Sequence, residues 1–300
     1  MAPRFATPSS SFGPFEIPTN LVCAWQDGRR DWLVTLPGIV RQVAEAWSLS
    51  VGSPFQPGGS TAWVAPVQRP DGGDLVVKVA MRHPEADHEA DGLRLWKGEG
   101  AVRIVATQEF EGATALLLER CVPGTMLKQL PEPAQDEVIA GLLKRLWCDP
   151  PAGHPFRPLQ TMCDNWADQF ETKVGPNRPP LDQGMIRDGI ELFRALPASA
   201  ERNVLLATDL HAGNVLSAER EPWLAIDPKP YVGDPTYDAL QHMLSCEDRL
   251  HADPRALAAR MAHLLDLDHD RLLLWLFARC VQESVDCPTL AIVARQVAPT

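Results

Sequence analysis

Apolar residues recur at helical spacing from Asp31 to Trp47, where Trp32, Leu36, Ile39, Val40, Val43 and Trp47 form one stripe in spite of Pro37. That stripe predicts a packing helix. Beyond Pro57 the period changes: Thr61 to Val67 and Asp74 to Ala80 read as two strands joined by a Pro-Asp-Gly turn. Centred near Asp71, the hairpin sets Lys78 across from about Val64, a few residues from Gly58 and Gly59. A helix is expected to start at Pro84, a favoured first-turn position, and to run to about Lys97. Glu89, Leu93 and Trp96 then share one face, so Glu89 points inward among apolar neighbours. Ala115 to Leu118 reads as an apolar strand, followed by a connector that stops at Pro123-Gly124. The chain then turns helical over Ala134 to Trp147, Cys163 to Lys173 and Leu181 to Leu196, with Pro-rich breaks at Asp149 to Pro158 and Gly175 to Pro180. Two later stripes, through Leu257, Met261, Leu264 and Leu265 and through Leu273, Leu276, Phe277, Cys280 and Val281, read as core faces. No internal repeat interrupts this order.

The run LLATDLHAGNVLSAEREPWLAID, Leu205 to Asp227, predicts a further hairpin. Asn214 leads into Val215 to Ser217, Ala218 to Pro222 form a polar turn, and Trp223 to Ile226 lead into Asp227. In an antiparallel pair the start of one strand lies beside the end of the other, so Asn214 and Asp227 are expected about 5 Å apart at one end. Mg²⁺ prefers hard oxygen ligands and usually keeps several positions for phosphates and water, which suits an amide and a carboxylate. Asp209, on the loop after Val204 to Ala207, is the candidate base for a substrate hydroxyl. Phosphoryl transfer has a loose transition state, so an ordinary carboxylate that orients the nucleophile is adequate.

The same chemistry gives the first hairpin a role. Glycines let backbone N–H groups approach a phosphate, and a strand lysine supplies counter-charge, as in protein kinases. Gly58, Gly59, Ser60 and Lys78 are therefore candidate nucleotide-binding residues, with Glu89 the partner that positions Lys78. His211 is expected to hydrogen-bond its own loop, and Asp234 and Asp238 to serve turn and helix-cap chemistry. The eight histidines are scattered without metal-ligand spacing, which argues against zinc.

These motifs resemble the Asp-x-x-x-x-Asn and downstream Asp signature of the aminoglycoside phosphotransferases. The segment AEREPWLAIDPKPYVGDPTYD, Ala218 to Asp238, most resembles the streptomycin 6-kinase and hydroxyurea kinase branch. The likeness spans roughly Leu21 to Ser284. It implies an α+β, bilobal, protein-kinase-like fold: an antiparallel, β-rich N-lobe over 21–120 and a mainly helical C-lobe over 121–300. It also implies ATP as donor, Mg²⁺, O-phosphorylation of an antibiotic or similar small molecule, and adenine contacts from the backbone of Glu119 and Cys121. One departure is visible: many members carry His two residues before the base, where this chain has Ala207. Substrate-binding acids should lie on the C-lobe beside the Asp209 loop; Glu247, Asp248 and Glu283 are available on the last helices to pair with a guanidinium.

Composition narrows the partners. The net charge of −11 disfavours nucleic acid and suits a cationic ligand. No run of 18 or more apolar residues offers a membrane span. Seven cysteines, without a C-x-x-C pair, fit a reducing cytoplasm. Residues 1–20, rich in Pro and Ser and lacking a continuous apolar segment, are expected to be a disordered tail. A monomer or weak dimer is expected. Two rivals to a small-molecule kinase follow from the same residues. A protein kinase would need a long activation segment, for which Asp227 to Gly233 leaves no room. A nucleotide-binding pseudokinase module would often lack the base, a metal ligand or the lysine.

Overall fold

A computed structural model describes residues 15–24, 29–174 and 179–299. Residues 1–14 of the expected tail and 175–178 of the second Pro-rich break lie outside the described residues. The tail expectation fails for residues 15–20: Phe15 stacks on Trp63 with ring centroids 5.4 Å apart, Glu16 O accepts from Trp63 Nε1, and α1 (Thr19–Ala24) follows. A large aromatic partner supplies burial that composition alone does not reveal.

The chain divides into two compact units. The first comprises the described residues up to Ala90 together with Val102–Arg120; the second comprises Asp91–Ala101 and the chain from Cys121 on. The chain passes between the units at 120/121, and 91–101 belong to the second unit.

In the first unit, the stripe on α2 (Arg30–Ala46) packs on an antiparallel sheet of order β1-β2-β3-β5-β4. The strands are β1 (Ser50–Val51), β2 (Ala62–Gln68), β3 (Asp74–Met81), β4 (Ile104–Phe110) and β5 (Ala113–Glu119). Strand periodicity sends Trp63, Ala65 and Val67 of β2, Val77 and Val79 of β3, and Ala115 and Leu117 of β5 toward α2. Each large apolar side chain so buried contributes about 1.5–3 kcal/mol. The same alternation turns Lys78 to the opposite face. It stands opposite Val64 as expected, and Leu116 of β5 lies on its other side. The helix expected from Pro84 is broken. Pro84–Ala86 form a 3₁₀ turn, and α3 (Glu89–Trp96) starts only at Glu89, after Asp87 and His88.

In the second unit, α4 (Glu132–Leu146), α5 (Leu159–Val174) and α6 (Gln183–Ala195) precede β7 (Val204–Leu206), which pairs with β10 (Tyr231–Gly233). A three-stranded sheet is formed by β6 (Pro123–Met126), β8 (Val215–Ala218) and β9 (Leu224–Ala225). Short helices α7 (Pro235–Asp238), α8 (Leu240–Ser245) and α9 (Glu247–Ala252) lead to α10 (Pro254–Leu265), α11 (His269–Glu283) and α12 (Leu290–Val297). The helix expected over Leu181–Leu196 is set by Asp182, whose carboxylate accepts from Met185 N at 2.9 Å.

Close packing fixes α6 on α11. A Cβ added to Gly189 would lie 2.6 Å from Val281 Cβ, whereas one on Gly141 in α4 meets nothing within 4 Å. Gly189→Ala is expected to destabilise the protein by about 1–3 kcal/mol. Gly141→Ala, at a helix-interior glycine with open space, is expected to stabilise by about 0.5–1 kcal/mol. Urea midpoints of the two variants should move in opposite directions.

A buried carboxylate gathers α4, α8, α9 and α10. Asp136, fully buried, accepts from His242 Nε2 at 2.9 Å, from both Arg249 terminal nitrogens at 3.1 and 2.9 Å, and from Arg260 Nε at 2.7 Å. Although burial alone would raise it, these three partners hold Asp136 well below the usual carboxylate range. Asp136, His242 and Cys246 bring ligand atoms within 4.8 Å of one another. A cation there would stand against two guanidiniums, so the cluster is a charge hub for the helices. No described helix is long and apolar enough to cross a membrane.

Candidate active site

In the first unit, Lys78 Nζ lies 2.6 Å from Glu89 Oε2 and 2.7 Å from Oε1, with both residues buried. Strand alternation points the lysine off the α2 face, and the first residue of α3 meets it. A helix N-terminus also favours the carboxylate. Desolvating both charges is costly, and a lysine so held is pre-oriented for an anionic ligand.

Gly58, Gly59 and Ser60 belong to the connection between β1 and β2, which runs into the Ala62↔Ala80 end of the hairpin. Gly58 has φ +76°, and a Cβ there would lie 2.5 Å from Pro18 Cβ, so only glycine fits. Asn20 Nδ2 donates to Gly58 O at 2.6 Å and Arg29 Nη1 to Ser60 O at 2.8 Å. The turn is thus pinned by its carbonyls. At Glu119 the backbone N–H donates to Arg103 O at 2.8 Å and the side chain accepts from Arg103 N, so a donor role toward adenine is closed to this residue. Cys121 is partly exposed at the start of the second unit.

In the second unit, β7 ends at Leu206, and the residues that follow are tied to Asp238. Its carboxylate accepts from Ala207 N at 3.0 Å, Thr208 N at 2.6 Å and Trp147 Nε1 at 3.0 Å. The helix-cap expectation for Asp238 is therefore wrong. Asp234 caps α7 through Thr236 N and accepts from Arg271 Nε and Trp275 Nε1. Asp238 sits at the end of that single turn and faces the loop instead. Burial pushes its carboxyl up to about 6 against the pull of its three donors. Thr208, at φ +49°, donates its hydroxyl to Lys229 O at 2.5 Å, and Lys229 N donates to Ala207 O at 2.8 Å.

The base candidate Asp209 follows directly. Asn214 Nδ2 donates to Asp209 O at 3.0 Å and lies 3.5 Å from Asp209 Oδ2. His211 Nδ1 accepts from Gly213 N at 3.1 Å and so closes the turn Ala212–Asn214. Burial, with lesser repulsion from His242 and Lys128, lowers the His211 pKa and favours the neutral ring that this acceptor role needs. The expected hairpin is present, with Val215↔Ala225 and Leu216↔Leu224, and Ile226 N donates to Asn214 O at 2.9 Å. Asp227 comes next, at φ +52°, and its carboxylate holds the Lys229 ammonium. With its nitrogen committed to Asp209, Asn214 turns its amide oxygen to the other side. Oxygen of an amide and a carboxylate that already carries a cationic group form a donor set suited to Mg²⁺. Sequence reading missed Lys229 and the anchoring role of Asp238.

The candidate substrate acids are dispersed. Glu247 and Asp248 are exposed in the first turn of the six-residue α9. Glu283 pairs with the buried Arg279, whose guanidinium lies 4.3 Å from the Trp166 ring centre. Glu283, Arg279 and Trp166 line a cavity of about 160 Å³ between α5 and α11, with Lys173 and Asp286 at its rim.

The aminoglycoside/hydroxyurea antibiotic resistance kinase family matches residues 47–287. A streptomycin 6-kinase of Streptomyces glaucescens is 31% identical over 282 residues, covering 90% of each chain. A hydroxyurea phosphotransferase of Kitasatospora aureofaciens is 34% identical over 276 residues, covering 90% of this chain and 79% of that one. Among solved structures, the aminoglycoside phosphotransferase APH(3'')-Id from Streptomyces rimosus, in complex with ADP and streptomycin, superposes with a TM-score of 0.54 at 16% identity, covering 87% of this chain and 98% of that one. The fold is protein-kinase-like, with an antiparallel N-terminal sheet and a helical C-terminal part, and the chain belongs to the aminoglycoside/hydroxyurea antibiotic resistance kinase family of small-molecule phosphotransferases.

Proposed function

We propose that this chain transfers the γ-phosphate of ATP, with Mg²⁺, to a hydroxyl of a cationic aminoglycoside of the streptomycin type. The observation that carries the reading is the triad of the second unit. Asn214 is bonded through its side-chain nitrogen to the Asp209 main-chain carbonyl and through its own main-chain carbonyl to Ile226 N, which ties the loop of the base candidate to the hairpin of the metal-ligand candidates. Asp209 accepts the hydroxyl proton while the acceptor oxygen bonds to phosphorus and the bridging bond breaks toward ADP. Asn214 and Asp227 hold Mg²⁺, which when bound neutralises phosphate charge. In the first unit, Lys78, set by Glu89, binds the phosphates and Gly58, Gly59 and Ser60 cover them. Glu119, through its carbonyl, and Cys121 meet adenine. Glu283, beside the cavity between α5 and α11, is the strongest acceptor-binding candidate; Glu247 and Asp248, on an exposed helix turn, are weaker.

Similarity to two streptomycin 6-kinases, at 31% and 33% identity, supports the acceptor class. The 34% identity to a hydroxyurea phosphotransferase supports hydroxyurea as a second reading. A coupled ADP-release screen over aminoglycosides, hydroxyurea and related hydroxyl compounds decides between them. Streptomycin should give the highest kcat/KM. Turnover of hydroxyurea alone would establish the second reading, and nucleotide binding without Mg²⁺ dependence or turnover of any acceptor would make the chain a pseudokinase module.

A further inference from the structure

We propose that Lys229 is a further catalytic residue: its ammonium, seated on Asp227, moves onto the transferring phosphoryl group once a divalent cation takes that carboxylate. The inference rests on the assignment of Asp227 as a metal ligand.

Three observations carry it. The backbone of Lys229 is clamped from both sides to the two residues before Asp209, through its N–H to Ala207 O at 2.8 Å and its carbonyl to Thr208 Oγ1 at 2.5 Å. Pro228 and Pro230 flank it, and Pro230 is wedged against α3, where a Cβ on Gly92 would lie 2.5 Å from Pro230 Cγ. The lysine therefore springs from a rigid platform beside the base. Second, its side chain is 13% exposed and that of Asp227 35% exposed. The carboxylate is thus open to an incoming cation while the lysine stem is held in place. Third, Lys229 brings positive charge to a group that contains the carboxylates of Asp209 and Asp227, where a triphosphate would add more negative charge.

The chemistry then follows. A divalent cation competes strongly with an ammonium for one carboxylate, and a lysine stem with four rotatable carbons lets the displaced group reach nearby oxygens. Charge on a transferring phosphoryl group spreads over its equatorial oxygens, where a fixed cation lowers the barrier. The acceptor oxygen forms a bond to phosphorus, the bond to the bridging oxygen breaks with its electron pair leaving on ADP, and the hydroxyl proton passes to Asp209. Lys229 exchanges no proton and remains an ammonium throughout.

The test uses Mn²⁺ as probe, with free ion followed by electron paramagnetic resonance in the absence of nucleotide. Lys229→Met removes the competing charge, so Mn²⁺ should bind about 3- to 10-fold more tightly. In the same variant kcat should fall by about 10²-fold, with the acceptor KM changed by less than about threefold. Lys229→Arg keeps the charge and should recover part of kcat. Weaker or unchanged Mn²⁺ binding, or unchanged kcat, overturns the proposal. Should circular dichroism show Lys229→Met unfolded, the same two measurements on Lys229→Gln decide the question by the same criteria. Asp227→Asn separates the underlying assignment: if it binds Mn²⁺ as tightly as wild type, Asp227 is not a metal ligand and the proposal falls with it. If Asp227→Asn loses Mn²⁺ while Lys229→Met leaves affinity unchanged, only the role of Lys229 fails.

Discussion

Alanine at Asp209 is expected to slow turnover by about 10²- to 10⁴-fold while nucleotide still binds. The loop backbone is held by bonds that the carboxylate itself does not make. Asn214 Nδ2 reaches the Asp209 backbone carbonyl at 3.0 Å and the carboxylate only at 3.5 Å, and Asn214 N is held by His211 O. Removing the carboxylate leaves those backbone bonds in place, so a rate loss reports chemistry. Single-turnover phosphate transfer, set beside calorimetric ATP binding, makes the distinction. Undiminished turnover would remove Asp209 from the role of base.

Asp238→Ala is expected to act on folding. Three N–H donors, from Ala207, Thr208 and Trp147, converge on its fully buried carboxylate. Each buried donor left without an acceptor costs about 1–3 kcal/mol, so the variant should lose at least about 3 kcal/mol in urea unfolding. The pH dependence has a definite sign. A carboxyl whose folded pKa is raised from 3.8 to about 6 is more easily protonated in the fold than in the unfolded chain. Its contribution to stability is greatest below about pH 4, falls as pH rises toward 6, and is level above. The stability of wild type minus that of Asp238→Asn should therefore shrink between pH 4 and pH 6. A difference that grows over this interval would show that the three donors outweigh burial and lower the pKa.

Local patterning made part of this architecture readable. The Lys78 and Val64 register follows from a hairpin whose turn is marked by Pro-Asp-Gly, and the hairpin between Asn214 and Asp227 from two apolar runs around a polar turn. Strand β1, two residues long, and β6, which contains Pro123 and Gly124, carry no alternating pattern to detect. The break before Glu89 was hidden because Pro84 suits the first turn of an α-helix as well as that of a 3₁₀ turn. Asp238 was misread because its partners lie 30, 31 and 91 residues away, beyond the reach of any local cap signal. Lys229 sits in Asp-Pro-Lys-Pro, which reads as a turn; only the fold shows that its ammonium meets Asp227. Arg279 and Glu283, four apart on a helix, were within reach of spacing alone.

Thr208 and Asp227 both occupy the left-handed region, at φ +49° and φ +52°, and neither is glycine. For a β-branched threonine this conformation is costly, by about 1–3 kcal/mol, and it persists because Asp238 and Lys229 hold it. Selection for heat resistance alone would be drawn to Thr208→Gly or Thr208→Asn, which relax the backbone. Thr208→Gly would also give up the hydroxyl bond to Lys229 O, so a relaxed backbone and an anchored loop exclude one another at this position.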